Sequence, residues 1–363
     1  MRCPFSATVI LLLMVVACSS VNLPHTLGTP APTQVNISSE NLKLAAAHSA
    51  ANDGISMLVM VNGKIVFEDY PNPGGPNRFQ ELASATKSFS CAMAVAAVDD
   101  GLLKLDERVA ETITEWREDS RKSKMTIRQL LSLTGGQATG DERGDVPTYA
   151  QAIQAPAIFE PGEKFQYGAV PFQVFGEVMR RKLESRKQSP LDYLKQRVFD
   201  PIGLRVGNWT MGKDGNPHLP AGARLTAREW AKYGELIRLG GTWESKQILS
   251  AATRDECFRG TPQDPAYGLT WWLNRDVSAD LRATIRQLTA GTEPMWDVPD
   301  IPRDLVFAAG AGKQRLFVSR SLNLVVVRQA TGILESLAGT RRSAFSDAEF
   351  LSLLLTGKSV KAK

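Results

Sequence analysis

Ser84 and Lys87 stand three positions apart at the mouth of an almost purely apolar run, Phe89-Ser90-Cys91-Ala92-Met93-Ala94-Val95-Ala96-Ala97-Val98. On a helix, positions i and i+3 stack on one face, which brings the lysine amine within reach of the serine hydroxyl. The chemistry open to such a pair is nucleophilic. A serine hydroxyl attacks at neutral pH only when a neighbour takes its proton, and a lysine does so only when its pKa falls from about 10.4 towards neutrality. The run has too few polar groups to lie on a surface, so it predicts a core helix with Lys87 desolvated beside it. The positive end of the helix dipole acts in the same direction, disfavouring an ammonium and favouring an oxyanion. Ser-x-x-Lys alone is a weak pattern, equally the N-cap and solvated lysine of an ordinary helix, so the rest of the chain must supply the context.

Other chemistries find little support. The 363 residues include only three histidines, His25, His48 and His218, none with a partner at ligand spacing. No metal site and no cofactor are therefore expected, and a Ser-His-Asp triad has no basis. The net charge of +5 is small for this length, with Lys and Arg spread along the chain, and nothing points to nucleic acid. Gly357-Lys358-Ser359 looks like the tail of a phosphate-binding loop, but position 352 is Ser rather than Gly and no helix follows.

Residues 1–17 read as an export signal with Arg2 ahead of an apolar run too short to span a bilayer. Val15-Val16-Ala17-Cys18 resembles a bacterial lipobox, which implies a lipidated Cys18; a plain signal peptide cleaved nearby is the alternative. With Ser19 following, the resemblance implies a bacterial cell-envelope protein anchored in the outer membrane on its periplasmic side. Residues 18–37, rich in Pro, Thr, Ser and Asn, read as a flexible tether. The folded part should span 38–357, large enough for one domain or two interleaved lobes.

Within it, Ser38 and Ser39 can cap a helix through Leu42, Leu44, Ala47 and Ala51. Two β-rich runs then flank Asn62-Gly63, a hairpin signal. Helices are predicted at about 125–136, 170–183, 190–199, 226–239 and 250–257, with the Gly- and Asp-rich 134–147 as an exposed loop. Short β-rich runs follow at Tyr267 to Leu273, Leu305 to Ala309, Lys313 to Val318 and Leu322 to Gln329, then a closing helix from Ala344 to Leu355. The expected fold is α+β: an antiparallel sheet built from both chain ends (about 38–83 and 258–357) and flanked by helices, with a mainly helical region (about 84–257) inserted. Cys91 and Cys257 could bridge in an exported protein, but the apolar helix face around Cys91 favours packing as a small hydrophobe.

Several motifs stand in one order: Ser84-Ala85-Thr86-Lys87; Leu130-Leu131-Ser132-Leu133-Thr134-Gly135-Gly136; Pro161-Gly162-Glu163-Lys164-Phe165-Gln166-Tyr167; Arg224-Leu225-Thr226-Ala227-Arg228-Glu229; Tyr267-Gly268-Leu269-Thr270-Trp271-Trp272; and Gly310-Ala311-Gly312-Lys313-Gln314. Together they resemble the serine β-lactamase and penicillin-recognising family, on its class C and esterase branch, over roughly residues 40 to 357. The resemblance implies an acylated Ser84, Lys87 as its base and Tyr167 relaying a proton to the leaving group. It implies an oxyanion hole from the Ser84 N–H and one in Ala308, Ala309 or Gly310, with Gly310 and Gly312 allowing close approach or simply forming a turn.

Two departures matter. Ala169 stands where the family commonly has Asn, and the cleft strand reads Leu305-Val306-Phe307-Ala308-Ala309-Gly310 in place of Lys-Thr-Gly or His-x-Gly. The family grips a substrate carboxylate with that strand lysine and its neighbouring hydroxyl, a charge-assisted contact worth on the order of 1.5–3 kcal/mol. Arg315 or Lys313 could replace it, and Trp271 or Trp272, if one faces the cleft, would suit an apolar acyl or aryl group. The expectation is a monomeric serine hydrolase acting on a small ester or amide. The alternatives are a non-catalytic penicillin-binding-like module, or a β-lactamase or D-alanyl peptidase.

Overall fold

The computed structural model describes residues 1, 36–140, 145–277, 294–340 and 343–360; Cys18 and nearly all of the expected signal and tether segments lie outside them. Helix α1 (Ser39–Ala51) starts where Ser38 Oγ accepts the Asn41 N–H at 3.1 Å. Strands β1 (Gly54–Val61) and β2 (Lys64–Asp69) pair antiparallel about Asn62-Gly63, both at positive φ (50° and 76°), as a two-residue hairpin turn of this handedness requires. The chain then passes through the two-residue strand β3 (Gln80–Glu81) into a 3₁₀ turn, Ala83–Lys87, and α2 (Ser88–Asp99).

The helical region follows: α3 (Ile127–Leu131), α4 (Tyr149–Gln154), α5 (Val170–Lys182), α6 (Pro190–Leu194), the short strand β4 (Arg224–Leu225) that pairs with β3, α7 (Ala227–Arg238), the β5–β6 hairpin (Thr242–Trp243, Lys246–Gln247) and α8 (Ala251–Glu256). Strands β7 (Trp272–Leu273), β8 (Val306–Gly310), β9 (Gln314–Ser319) and β10 (Leu324–Ala330) complete a six-stranded sheet in the order β2-β1-β10-β9-β8-β7, every pair antiparallel. Both chain ends build this sheet, as expected.

Alternation along the strands gives the sheet two apolar faces. Met57, Val59, Phe317 and Val326 pack beneath α1 and the last helix, Asp347–Thr356, with Leu42, Ala45, Phe350 and Leu354. Leu58, Met60, Leu316, Val325 and Val327 face the larger core formed with α2, α5 and α7. From Ser88 to Ala97 every residue of α2 is buried, so this helix is the axis of the helical lobe.

The structure corrects several expectations. Cys91 and Cys257 are joined in a disulfide, Cα atoms 6.2 Å apart, so the apolar face around Cys91 covers a bridge between α2 and the end of α8. The Gly-rich segment from Thr134 to Gln137 is buried, because its carbonyls accept backbone N–H groups from the next loop: Thr134 from Gly162 at 2.7 Å and Gly136 from Ile158 at 2.8 Å. The run from Tyr267 yields only a two-residue strand. Thr270 takes a positive φ of 72° and the Gly268 N–H bonds Trp271 O at 2.9 Å, which turns the chain before β7.

Candidate active site

Ser84 lies inside the 3₁₀ turn that enters α2 and is half-buried, while its neighbours from Leu82 to Ala97 are buried. Ala83, just before it, is held at φ 46°, a left-handed conformation that costs a non-glycine residue about 1–3 kcal/mol and is found where surrounding structure forces a functional geometry. That structure is on both sides: Leu82 donates to Ala223 O at 3.0 Å, and Thr86 Oγ1 accepts the Ala223 N–H at 3.2 Å.

Lys87, only 4% exposed, places Nζ 2.9 Å from Ser84 Oγ and 3.3 Å from Pro220 O. Its amine also lies over two rings, 4.8 Å from the centroid of Tyr167 and 5.5 Å from that of Phe172. The expected pair therefore forms, on a tighter turn than an α-helical first turn. The Pro220 carbonyl was not legible, since it arrives from 133 residues away.

Tyr167 sits in the loop before α5. The Gln166 N–H donates to Leu133 O at 2.8 Å, and a Cβ on Gly168 would stand 2.3 Å from Thr139 Cβ. Glycine is thus required immediately after the tyrosine. Ala169 follows where the family commonly carries Asn. The Tyr167 ring stacks on Trp272 (centroids 5.7 Å, 28°), while Trp271 is buried against Tyr233 and Phe258. Of the two tryptophans, Trp272 is the one beside the site.

Strand β8 meets the serine turn at Gly310. A Cβ there would stand 2.1 Å from Leu82 O and 3.1 Å from Ala85 N, so only glycine lets the strand end come this close. Ala308, two residues earlier, is on the same face and buried; Ala309 points the other way. Gly312 lies in the turn Ala311–Lys313 at φ 69°, facing Thr331 and Ile333. Arg315 and Lys313, the basic residues nearest to a replacement for a strand lysine, are engaged elsewhere. Arg315 makes a buried bidentate pair with Asp347 (2.7 and 3.0 Å), and Lys313 is buried near Arg315 and Arg328, its pKa pushed down to about 8 chiefly by burial.

Among the described residues no cluster of His, Cys, Asp or Glu could hold a metal ion, and no helix is long and apolar enough to cross a membrane.

A sheet from both chain ends, an inserted helical lobe and a Ser-x-x-Lys turn between them define the class of serine β-lactamases and penicillin-binding proteins. A family model described as Beta-lactamase matches residues 43–334, and the chain belongs to that family. No curated protein matches it in sequence. Among solved structures it is similar to a D-stereospecific amidohydrolase from Streptomyces sp. (15% identity, 88% of this chain and 100% of that one, TM-score 0.63). It is also similar to a penicillin-binding protein homologue from Caulobacter crescentus (16%, 82% and 94%, 0.61) and to a family VIII carboxylesterase (19%, 87% and 97%, 0.60). At these identities the likeness concerns the fold.

Proposed function

We propose that the protein is a serine hydrolase that forms an acyl-enzyme on Ser84, acting on small esters and amides in preference to β-lactams. The observation that carries this reading is the 2.9 Å contact between the half-buried Ser84 hydroxyl and the buried Lys87 amine. In the reaction Lys87 takes the Ser84 proton as Oγ attacks the carbonyl carbon, and Tyr167 delivers a proton to the departing group; water then attacks the acyl-enzyme and frees the acid. The Ser84 N–H, with an N–H from the Ala308 to Gly310 segment, would hold the oxyanion.

The substrate order follows from the strand. Ala308-Ala309-Gly310, the part of β8 that abuts the serine turn, offers no cation or hydroxyl for a substrate carboxylate. An activated ester needs no such grip. A non-catalytic penicillin-binding-like module is the rival reading. The lipid anchor at Cys18, with residence in the outer membrane facing the periplasm, is part of the proposal; the Cys91–Cys257 bridge supports an oxidising compartment.

A fluorophosphonate probe tests the proposal by intact mass. The wild type should gain one adduct and Ser84→Ala none, p-nitrophenyl butyrate should be hydrolysed faster than nitrocefin, and Cys18→Ala should release the labelled protein from the membrane fraction. An unlabelled wild type, or the same adduct in Ser84→Ala, removes the hydrolase reading. A reversed substrate order removes the ester preference, and a soluble wild type removes the anchor.

A further inference from the structure

Tyr167 is delivered by a loop, not by a helix or strand, yet its ring is held on several sides. Lys87 Nζ lies over it at 4.8 Å, Trp272 stacks on it at 5.7 Å, and Tyr267 meets it edge-on (6.3 Å, 87°). Trp272 is itself fixed. It stacks on Phe307, its cross-strand partner on β8 (6.3 Å, 20°), and Tyr267 meets it edge-on at 4.9 Å and 81°. Phe165, on the Tyr167 loop, closes the group against Tyr267 at 5.3 Å. At 6% exposure Trp272 offers almost no surface to a substrate. Its indole is enclosed by aromatic side chains, and the ring it holds on the active-site side is that of Tyr167.

We propose that Trp272 is a positioning residue: stacked between the cleft strand and Tyr167, it sets the orientation of the Tyr167 ring and so the place of its hydroxyl at the leaving group. This rests on the hydrolase reading above. A phenol at the end of a loop side chain swings by more than an ångström for a modest ring tilt, and a misplacement of that size costs on the order of 100-fold in rate. Offset aromatic stacking contributes about 0.5–1.5 kcal/mol beyond area burial, enough to favour one ring orientation over the others that a loop allows.

The role has a signature that plain core packing lacks. Proton delivery matters when the leaving group is a poor one, an alkoxide, and hardly at all when it is p-nitrophenolate or fluoride. In Trp272→Leu, kcat for an ethyl ester should fall about 100-fold with KM unchanged, while p-nitrophenyl ester turnover and fluorophosphonate labelling of Ser84 stay within about threefold of wild type. Trp272→Phe, which restores a ring, should recover most of the ethyl ester rate. Equal losses on both esters, labelling that falls in step with them, or no recovery in Trp272→Phe overturns the positioning role. If Trp272→Leu does not fold, Trp272→Met takes its place, and losses that are equal on the two esters in that variant overturn the role in the same way. A wild type that is never labelled removes the hydrolase reading itself.

Discussion

At the scale of single residues, Ser84 and Lys87 were legible because their relation is local: three positions apart, they meet on any helical turn. Which of Gly310, at the end of the cleft strand, and Gly312, in the turn after it, makes the close approach was not, because that depends on what the strand end touches. Gly310 faces the backbone of the serine turn at 2.1 Å, whereas Gly312 faces Thr331 O at 3.0 Å from within its own turn. Alanine at the two positions should therefore act differently. Gly310→Ala forces β8 away from Leu82 and Ala85, costing about 1–3 kcal/mol in urea unfolding and slowing fluorophosphonate labelling at least tenfold, since the distance between strand and Ser84 N–H changes. Gly312→Ala strains a left-handed residue by about 1–2 kcal/mol but leaves labelling near the wild-type rate. Equal labelling rates in the two variants would show that the strand end does not shape the site.

At the scale of elements, periodicity located most helices and both halves of the sheet, since each carries its own pattern of apolar residues. What it could not supply was which face of a short strand meets which neighbour. Trp271 and Trp272 were equivalent in sequence and differ only because Thr270 turns the chain before β7. The Cys91–Cys257 bridge is invisible in the sequence for a related reason: an apolar helix face looks the same whether it covers a free thiol or a disulfide. The bridge fastens α2, which follows Ser84, to the segment carrying the aromatic residues around Tyr167. Cys257 O accepts the Leu269 N–H at 3.0 Å, and Gly268 packs directly on that carbonyl. Closing a loop of sequence separation 166 should contribute about 2–4 kcal/mol. Replacing both cysteines with alanine should lower the urea midpoint accordingly and slow ester hydrolysis more than labelling. An unchanged midpoint would mean that packing alone holds the two segments together.

At the scale of the whole molecule, stability carries a pH dependence traceable to one carboxyl that the sequence did not single out. Asp264 is fully buried; one oxygen accepts the Ala266 N–H at 2.8 Å and the other, Oδ2, has no hydrogen-bond partner among the described residues. Burial without a compensating charge pushes its pKa up from 3.8 to about 7. Below pH 4 the folded and unfolded chains both hold the proton, so the group gives no pH dependence there. Between about 4 and 7 the unfolded chain sheds it while the folded one keeps it, so stability falls as pH rises, and above about 7 the loss levels off at roughly 4 kcal/mol. His48 and His218, both lowered below 6.5 chiefly by burial, act with the opposite sign in part of that window, which is why wild type alone does not isolate the effect. Asp264→Asn does. Its unfolding free energy should run near that of wild type at pH 4 and exceed it by a few kcal/mol at pH 8, the gap opening between those values. Parallel curves across that range would show that Asp264 ionises in the folded protein as readily as in the unfolded chain.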